Sequence, residues 1–239
     1  MLRTFFWISS LLWFVACTDN SSVRPAESTA DGRNPNVIEV TEREARSRTS
    51  KEGFYSDYTD TNRSIWNKPE MVIERLGDLT GKTVADIGAG TGFFSMRLAK
   101  VADKVIAIDI DPGLVSYLDS VRVLQLEPEY ANRLEPRLAS ATDPELQPEE
   151  VDAVVVANTY MYINNRVEYL QNLMRGMKPG AQLLIIDFKK KRIPVGPDSR
   201  YKVTLFEVET ELERAGFTNI QSNDRLLDYQ YLVQARRPH

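Results

Sequence analysis

Two residue types are nearly missing from this 239-residue chain, which has one Cys and one His. A Cys/His zinc site, an internal disulfide and a Ser-His-Asp triad each need residues that this chain does not supply. The one His is His239. A basic excess is missing too: 30 Lys and Arg face 34 Asp and Glu, a formal charge of −4, which disfavours a nucleic-acid-binding surface. No internal repeat is present. Chemistry here has to come from carboxylates, hydroxyls, amides, Lys and Arg, or from a bound cofactor, and no metal site is expected.

The Cys stands in an informative place. Residues 1–16 carry one charge, Arg3, followed by an uncharged, mostly apolar run from Phe5 to Ala16 that is short for a bilayer-spanning helix and reads as an export signal. An ordinary cleavage site would put bulky Phe14 or Val15 where small residues belong. Phe14-Val15-Ala16-Cys17 instead resembles a bacterial lipoprotein lipobox. That resemblance implies that Cys17 is lipidated and that the protein is anchored to the cell-envelope membrane, facing the periplasm. The alternative is an uncleaved anchor with a free Cys. Residues 17–52 contain no aromatic residue and few large apolar ones, so they cannot bury enough surface to offset their ordering entropy and read as a flexible tether.

From residue 53 to 239 the pattern is that of one α/β domain. Asn67-x-x-Glu70 with Pro69 reads as a capping box opening a helix with Val72, Leu76 and Leu79 on one face. Apolar runs ending in Ile87, Asp109, Ala157 and Ile186, and a weaker one at 136–140, read as buried parallel strands separated by helices. One helix carries Phe94, Leu98 and Val101, one is capped by Asp111-Pro112, one by Asn165, and one opens at Thr204-x-x-Glu207 and stops at Gly216. Two strand-like runs with no helix between them, 217–227 and 229–236, close the chain. The expected architecture is a doubly wound, mostly parallel seven-stranded sheet with an antiparallel C-terminal strand and a hairpin edge.

Asp86-x-Gly88-x-Gly90-x-Gly92 sits in the first strand-to-helix turn, where open α/β sheets bind ligands. A dinucleotide fingerprint needs Gly where Phe93 stands, and a phosphate-binding Walker loop needs a following Gly-Lys-Ser/Thr. The spacing resembles motif I of the class I S-adenosylmethionine-dependent methyltransferases. That resemblance implies S-adenosyl-L-methionine as cofactor and spans about residues 54–239. Asp86, Gly88, Gly90 and Gly92 would hold the cofactor's amino-acid end, and Asp109 its ribose hydroxyls. Thr142 and Asp143 would fall in the adenine segment, and Asn158 at the end of the fourth strand would face the methyl group. Lys178-Pro179-Gly180 resembles the stretch leading into the family's fifth strand.

Several of these residues also have plain structural readings. Asp109 suits a strand end, Asp111 a helix cap, and Asp143 before Pro144 a turn. Tyr160, Tyr162, Tyr55, Tyr58 and Trp66 could line an acceptor pocket or pack the core. Lys189-Lys190-Lys191-Arg192 could meet an anionic substrate or form a solvated charge run. No catalytic base is assigned. The leading expectation is a methyltransferase acting on a small-molecule or lipid-associated acceptor, with Tyr55, Tyr160 and Lys189 as candidate contacts. An exported binding module that retains the cofactor fold without turnover is the alternative.

Overall fold

The structure is a computed structural model and describes residues 63–239. The signal, the tether, Cys17, Tyr55 and Tyr58 lie outside the described residues. Two short helices, α1 (Arg63–Asn67) and α2 (Pro69–Glu74), lead into β1 (Thr83–Ile87), followed by α3 (Ser95–Leu98), β2 (Lys104–Asp109) and α4 (Pro112–Gln125). The chain continues through α5 (Pro128–Arg133), β3 (Leu134–Leu138), β4 (Val151–Ala157), a 3-10 turn (Tyr160–Tyr162) and α6 (Arg166–Gly176). It ends with β5 (Met177–Phe188), α7 (Leu205–Ala215), β6 (Thr218–Asn223) and β7 (Gln230–Arg236).

The seven strands form one sheet in the order β3-β2-β1-β4-β5-β7-β6, with β1 to β5 parallel and β7 antiparallel to both its neighbours. Successive side chains of a strand point to opposite faces, and the apolar residues divide accordingly. Ala85, Ile87, Ile106, Ile108, Val154 and Ile185 pack under Leu170, Leu173, Val208 and Leu212 of α6 and α7. Val84, Val105, Ala107, Val155 and Leu184 pack under Val72, Leu98 and Leu118 on the other side. Both faces are covered, which is why these strands read as continuous apolar runs.

Several expectations change. Asn67 does not cap a helix: Lys68 breaks the chain between α1 and α2 in a left-handed conformation (φ 44), and the α2 N-terminus has no side-chain cap. Pro69 disfavours helical geometry at the preceding residue, and the buried Asn67 side chain is engaged elsewhere. The helix after the glycines is only four residues long, which leaves Val101 47% exposed. Asn165 stands at the start of α6 with φ 48 but makes no side-chain cap. The third strand is 134–138 rather than 136–140. The antiparallel C-terminal strand lies inside the sheet, and mostly exposed β6 is the edge. The capping box at Thr204 and Glu207 and the left-handed Gly216 (φ 99) bound α7 as its sequence implies.

Candidate functional site

β1 and β2 end side by side, Ile87 opposite Ile108, and the glycine loop leaves the sheet between them. The amides of Gly88 and Ala89 both donate to the Ile108 carbonyl, at 2.8 and 3.0 Å. Gly88, Gly90 and Gly92 have φ of 72°, 56° and 86°, a region that side chains with a Cβ enter at a steric cost. Asp109 fixes the loop from the neighbouring strand: Oδ2 accepts from the Gly90 amide at 2.8 Å and Oδ1 from the Asp111 amide at 3.0 Å. Asp111 caps α4 by accepting from the Gly113 amide at 2.8 Å, in line with the plain reading of that residue.

Asp86 is buried behind the loop, and the Ser95 hydroxyl donates to its Oδ2 at 2.5 Å. Burial pushes its carboxyl up to about 6, against the hydrogen bond from Ser95 and the positive charge of Arg63, and the charge of Asp109 adds to the rise. Arg63, itself buried, stacks on one side of this region: its guanidinium lies 4.3 Å from the centre of the Phe93 ring, and that of Arg97 lies 4.2 Å from it. Arg97 also donates to the Phe93 carbonyl at 2.7 Å and pairs with Glu70 at 3.2 Å. Phe93, which excludes a dinucleotide spacing, is thus the pivot that joins α1, α2 and the glycine helix.

A cavity of about 270 Å³ opens at this edge of the sheet. Its walls include Gly88, Asp109, Ile110, Leu114, Thr159 and Tyr169, and Ser140 and Ala141 also line it. One end is acidic and the walls are largely apolar. Both Asp109 oxygens hold backbone amides, yet an ionised carboxylate accepts about four hydrogen bonds, so lone pairs remain for a pair of vicinal hydroxyls. A methyl group at Gly88 would fall 2.2 Å from Thr159 Oγ1, so the chain approaches itself here as closely as a glycine permits. Among the described residues no group of His, Cys, Asp and Glu is placed to hold a metal ion.

Not every residue singled out in the sequence faces this cavity. Gly88 and Asp109 line it, with Ser140 and Ala141 in place of Thr142 and Asp143. Asp143 Oδ1 accepts from the Glu145 amide at 2.7 Å, and the Thr142 carbonyl accepts from Asn172 at 3.2 Å, so both hold the loop together. Tyr160 is fully buried and donates to Glu211 at 2.6 Å, beside the Arg166–Glu211 pair, whereas its neighbour Tyr162 lines the cavity. Lys189 donates to the carbonyls of Leu227 and Asp228 at 2.8 and 3.2 Å and fastens the turn before β7. Asn158 (φ 58) is buried between Asn67 and Gln230, not in the cavity wall, which is formed by Thr159.

Arg63, Ser95, Ile110, Leu114, Tyr169 and Gln230 shape this region without standing in any sequence motif. Ile110 carried a signal: a large apolar residue between two acids at a strand end, 61% exposed in the fold. Gln230 and Arg63 carried none, because their placement depends on contacts across the sheet.

Asp187 is a second buried acid. It ends the apolar run of β5, accepts from the amides of Met161 at 3.0 Å and Phe188 at 2.7 Å, and is pushed up to about 7 by burial, against those bonds. A carboxyl with a folded pKa above its ordinary 3.8 binds protons more readily in the fold than in the unfolded chain. Asp86 and Asp187 therefore make the fold less stable as pH rises from about 4 through 6 to 7. The acids held low by partners, Glu135, Glu150, Asp152 and Glu207, act in the opposite direction only below the ordinary carboxylate range. The expected result is a melting temperature at pH 5.5 higher than at pH 8 by about 5 °C for the ligand-free protein, with the difference reduced in Asp187→Asn. A melting temperature that is flat or higher at pH 8 contradicts it.

Residues 85–185 match the methyltransferase domain family. The chain is 32% identical over 157 residues to ribosomal protein L11 methyltransferase of Deinococcus radiodurans, covering 63% of this chain and 51% of that protein. It is 25% identical over 178 residues to the ubiquinone/menaquinone biosynthesis C-methyltransferase UbiE of Hahella chejuensis, covering 73% and 67%. Among solved structures, a SAM dependent methyltransferase from Aquifex aeolicus superposes with a TM-score of 0.70 at 29% identity, over 78% of this chain and 97% of that one. The chain thus spans about half the length of the first of these relatives. The family match covers residues 85–185, and the sheet has the Rossmann-like order of the fold that the Aquifex structure shares.

Proposed function

We propose that this chain is an S-adenosylmethionine-dependent methyltransferase that acts on a small-molecule or lipid-associated acceptor and is tethered to the cell-envelope membrane through Cys17. The observation that carries the reading is the pairing of Asp109 with the Gly90 amide of the glycine loop at the mouth of an apolar cavity. The family match and its relatives support the cofactor assignment. When bound, the cofactor supplies a sulfonium methyl open to in-line attack.

The chain's own residues do the rest by holding and excluding. Asp109 would hold the ribose hydroxyls while still fastening the loop. The apolar surfaces of Ile110, Leu114 and Tyr169 line the cavity and would flank a flat base and keep water away from it. Asp86 would hold the cofactor's ammonium from behind the glycine loop, and Arg63, buried nearby, supplies positive charge that favours its carboxylate. A water-poor site and fixed geometry are what methyl transfer needs from a protein, and an acceptor whose nucleophile carries no proton needs no base. The envelope tether is supported by the lipobox-like Phe14-Val15-Ala16-Cys17, and mass spectrometry of the mature N-terminus tests it. Among the described residues no helix is long and apolar enough to cross a membrane.

The activity reading has a thermodynamic signature. At pH 6 Asp86 is about half protonated, and an ammonium placed against it holds it ionised, so binding expels protons. Calorimetric titration of the full chain with S-adenosylhomocysteine is expected to show an enthalpy that varies with the buffer's ionisation enthalpy. The slope should be about half a proton released per site at pH 6 and near zero at pH 8. Asp86→Asn is expected to abolish the slope. Absence of binding in the parent chain refutes the cofactor assignment.

A further inference from the structure

A second cavity, of about 570 Å³, opens at the opposite end of the sheet from the apolar one, where β1, β4 and β5 begin and β7 ends. Its lining is charged: Arg75, Lys82, Lys178 and Arg236 share it with Asp78 and Asp152. Both acids are already engaged. Lys178 Nζ lies 2.9 Å from each oxygen of Asp152, whose Oδ2 also accepts from the Thr83 amide at 2.9 Å. Asp78 Oδ1 accepts from the Thr80 amide at 2.9 Å. Four cations against two acids leave two positive charges in excess, and the excess is localised. Among the described residues, the Arg75 and Lys82 side chains have no hydrogen-bond or ion-pair partner, and Lys82 acts on Asp78 and Asp152 only through longer-range attraction.

The backbone that carries these two cations is fixed. The Arg75 carbonyl accepts from Gln182 Nε2 and Gln234 Nε2, both at 3.0 Å, which fastens the end of α2 to β5 and β7. The Lys82 carbonyl accepts from the Asp103 and Lys104 amides at 3.1 and 3.3 Å. Arg236 gives one N–H to the Gly180 carbonyl at 2.9 Å, and a guanidinium has five. A fixed frame lowers the ordering cost of closing long side chains on a ligand. The five residues of β1 separate this cavity from the glycine loop, roughly 15 Å at the rise of an extended strand. A ligand bound here therefore leaves the cofactor cavity open.

We propose that this cavity binds a phosphate monoester, carried either by a free phosphate compound or by the headgroup of an anionic lipid. The proposal does not depend on the methyltransferase reading. A phosphate monoester carries about −1.5 to −2 charges near pH 7 and three strong acceptor oxygens, which matches the two unpaired cations. The Arg75 guanidinium can take two of those oxygens as a fork, and the Lys82 ammonium serves as a point charge beside it. A monocarboxylate brings one charge and leaves a cation unmet. A cationic ligand meets an excess of its own sign. Arg75 and Arg236 are exposed and Lys82 and Lys178 half-buried, so the interaction is screened by salt.

Inorganic phosphate and glycerol 3-phosphate are titrated into the ¹⁵N-labelled full chain at low ionic strength, with acetate as the monovalent control. Both phosphates are expected to shift the backbone amide resonances of Gly77 and Gly180, which line the cavity, and to leave those of Gly88 and Gly90 in place. Acetate should bind at least about tenfold more weakly. Arg75→Gln combined with Lys82→Gln is expected to weaken phosphate binding at least about tenfold. Lys190→Gln combined with Lys191→Gln, on the charge run after β5, should change it less than about twofold. Co-sedimentation with vesicles of equimolar phosphatidylcholine and phosphatidic acid, against phosphatidylcholine alone, separates the two sources. A gain on the acidic vesicles that the Arg75 and Lys82 substitutions remove identifies a lipid headgroup, and no such gain identifies a free phosphate compound. Three results overturn the proposal: no shift at Gly77 and Gly180 with either phosphate, an equal response to acetate, or equal weakening by the two pairs of substitutions. If the Arg75 and Lys82 variant does not fold, the parent-chain resonances and the acetate comparison decide the matter.

Discussion

Gly88→Ala is expected to lower stability by about 3 kcal/mol, or about 10 °C in melting temperature, and to abolish S-adenosylhomocysteine binding. Gly88 has φ of 72°, which costs an alanine roughly 1–2 kcal/mol by itself. The added methyl also lands 2.2 Å from Oγ1, 2.4 Å from Cγ2 and 2.8 Å from Cβ of Thr159. Rotating the threonine removes the first two clashes and leaves the third, so either the backbone after β4 or the glycine loop has to move. The backbone after β4 is held by Met161 on Asp187 and by Asn158 on the Ile186 carbonyl. The loop is held by Asp109 and by the Ile108 carbonyl. The strain therefore falls on both walls of the cavity. In a Thr159→Gly background the steric part disappears and only the backbone cost remains, so Gly88→Ala should then cost about 1–2 kcal/mol. Equal losses in the two backgrounds, measured by thermal or urea unfolding, contradict this account.

The sheet was legible because its strands are covered on both faces. Val105 to Ile108 and Ala153 to Ala157 read as unbroken apolar runs, and strands covered on both faces leave little freedom of topology. Asp86, the three glycines and Asp109 were legible as a group, because their chemistry is local to two strand ends. Thr142, Asp143, Tyr160 and Lys189 were placed by their position after a strand, and position alone does not give direction. The turn at Asp143 points its carboxylate to its own backbone, and Tyr160 turns away into the Glu211–Arg166 pair while Tyr162 takes the cavity wall. Asn67 misled for the same reason. Its spacing to Glu70 fits a cap, but the residue it meets is Asn158, 91 positions away, and a local pattern does not contain a contact across the sheet. Asn67, Asn158, Gln230 and Arg63 belong to this second class, in which distant segments converge on one edge.

Asp109→Ala is expected to weaken S-adenosylhomocysteine binding about a hundredfold, with a smaller loss of stability. Its carboxylate has two duties that the variant series separates. Oδ2 and Oδ1 hold the Gly90 and Asp111 amides, and under the cofactor reading the remaining lone pairs take the two ribose hydroxyls. Hydrogen bonds to a charged acceptor contribute roughly 1.5–3 kcal/mol each, so losing the ribose pair accounts, at the lower end of that range, for a factor of about a hundred. Asp111→Ala is the contrast. It removes the cap on Gly113, costs about 1 kcal/mol of stability and leaves the Asp109 carboxylate in place. The decisive comparison uses a cofactor analogue without ribose hydroxyls. Calorimetry should show that deleting the hydroxyls weakens binding to the parent chain and makes little further difference in Asp109→Ala, because the partner is already gone. If the two losses simply add, Asp109 acts on the loop alone, and the ribose is recognised elsewhere.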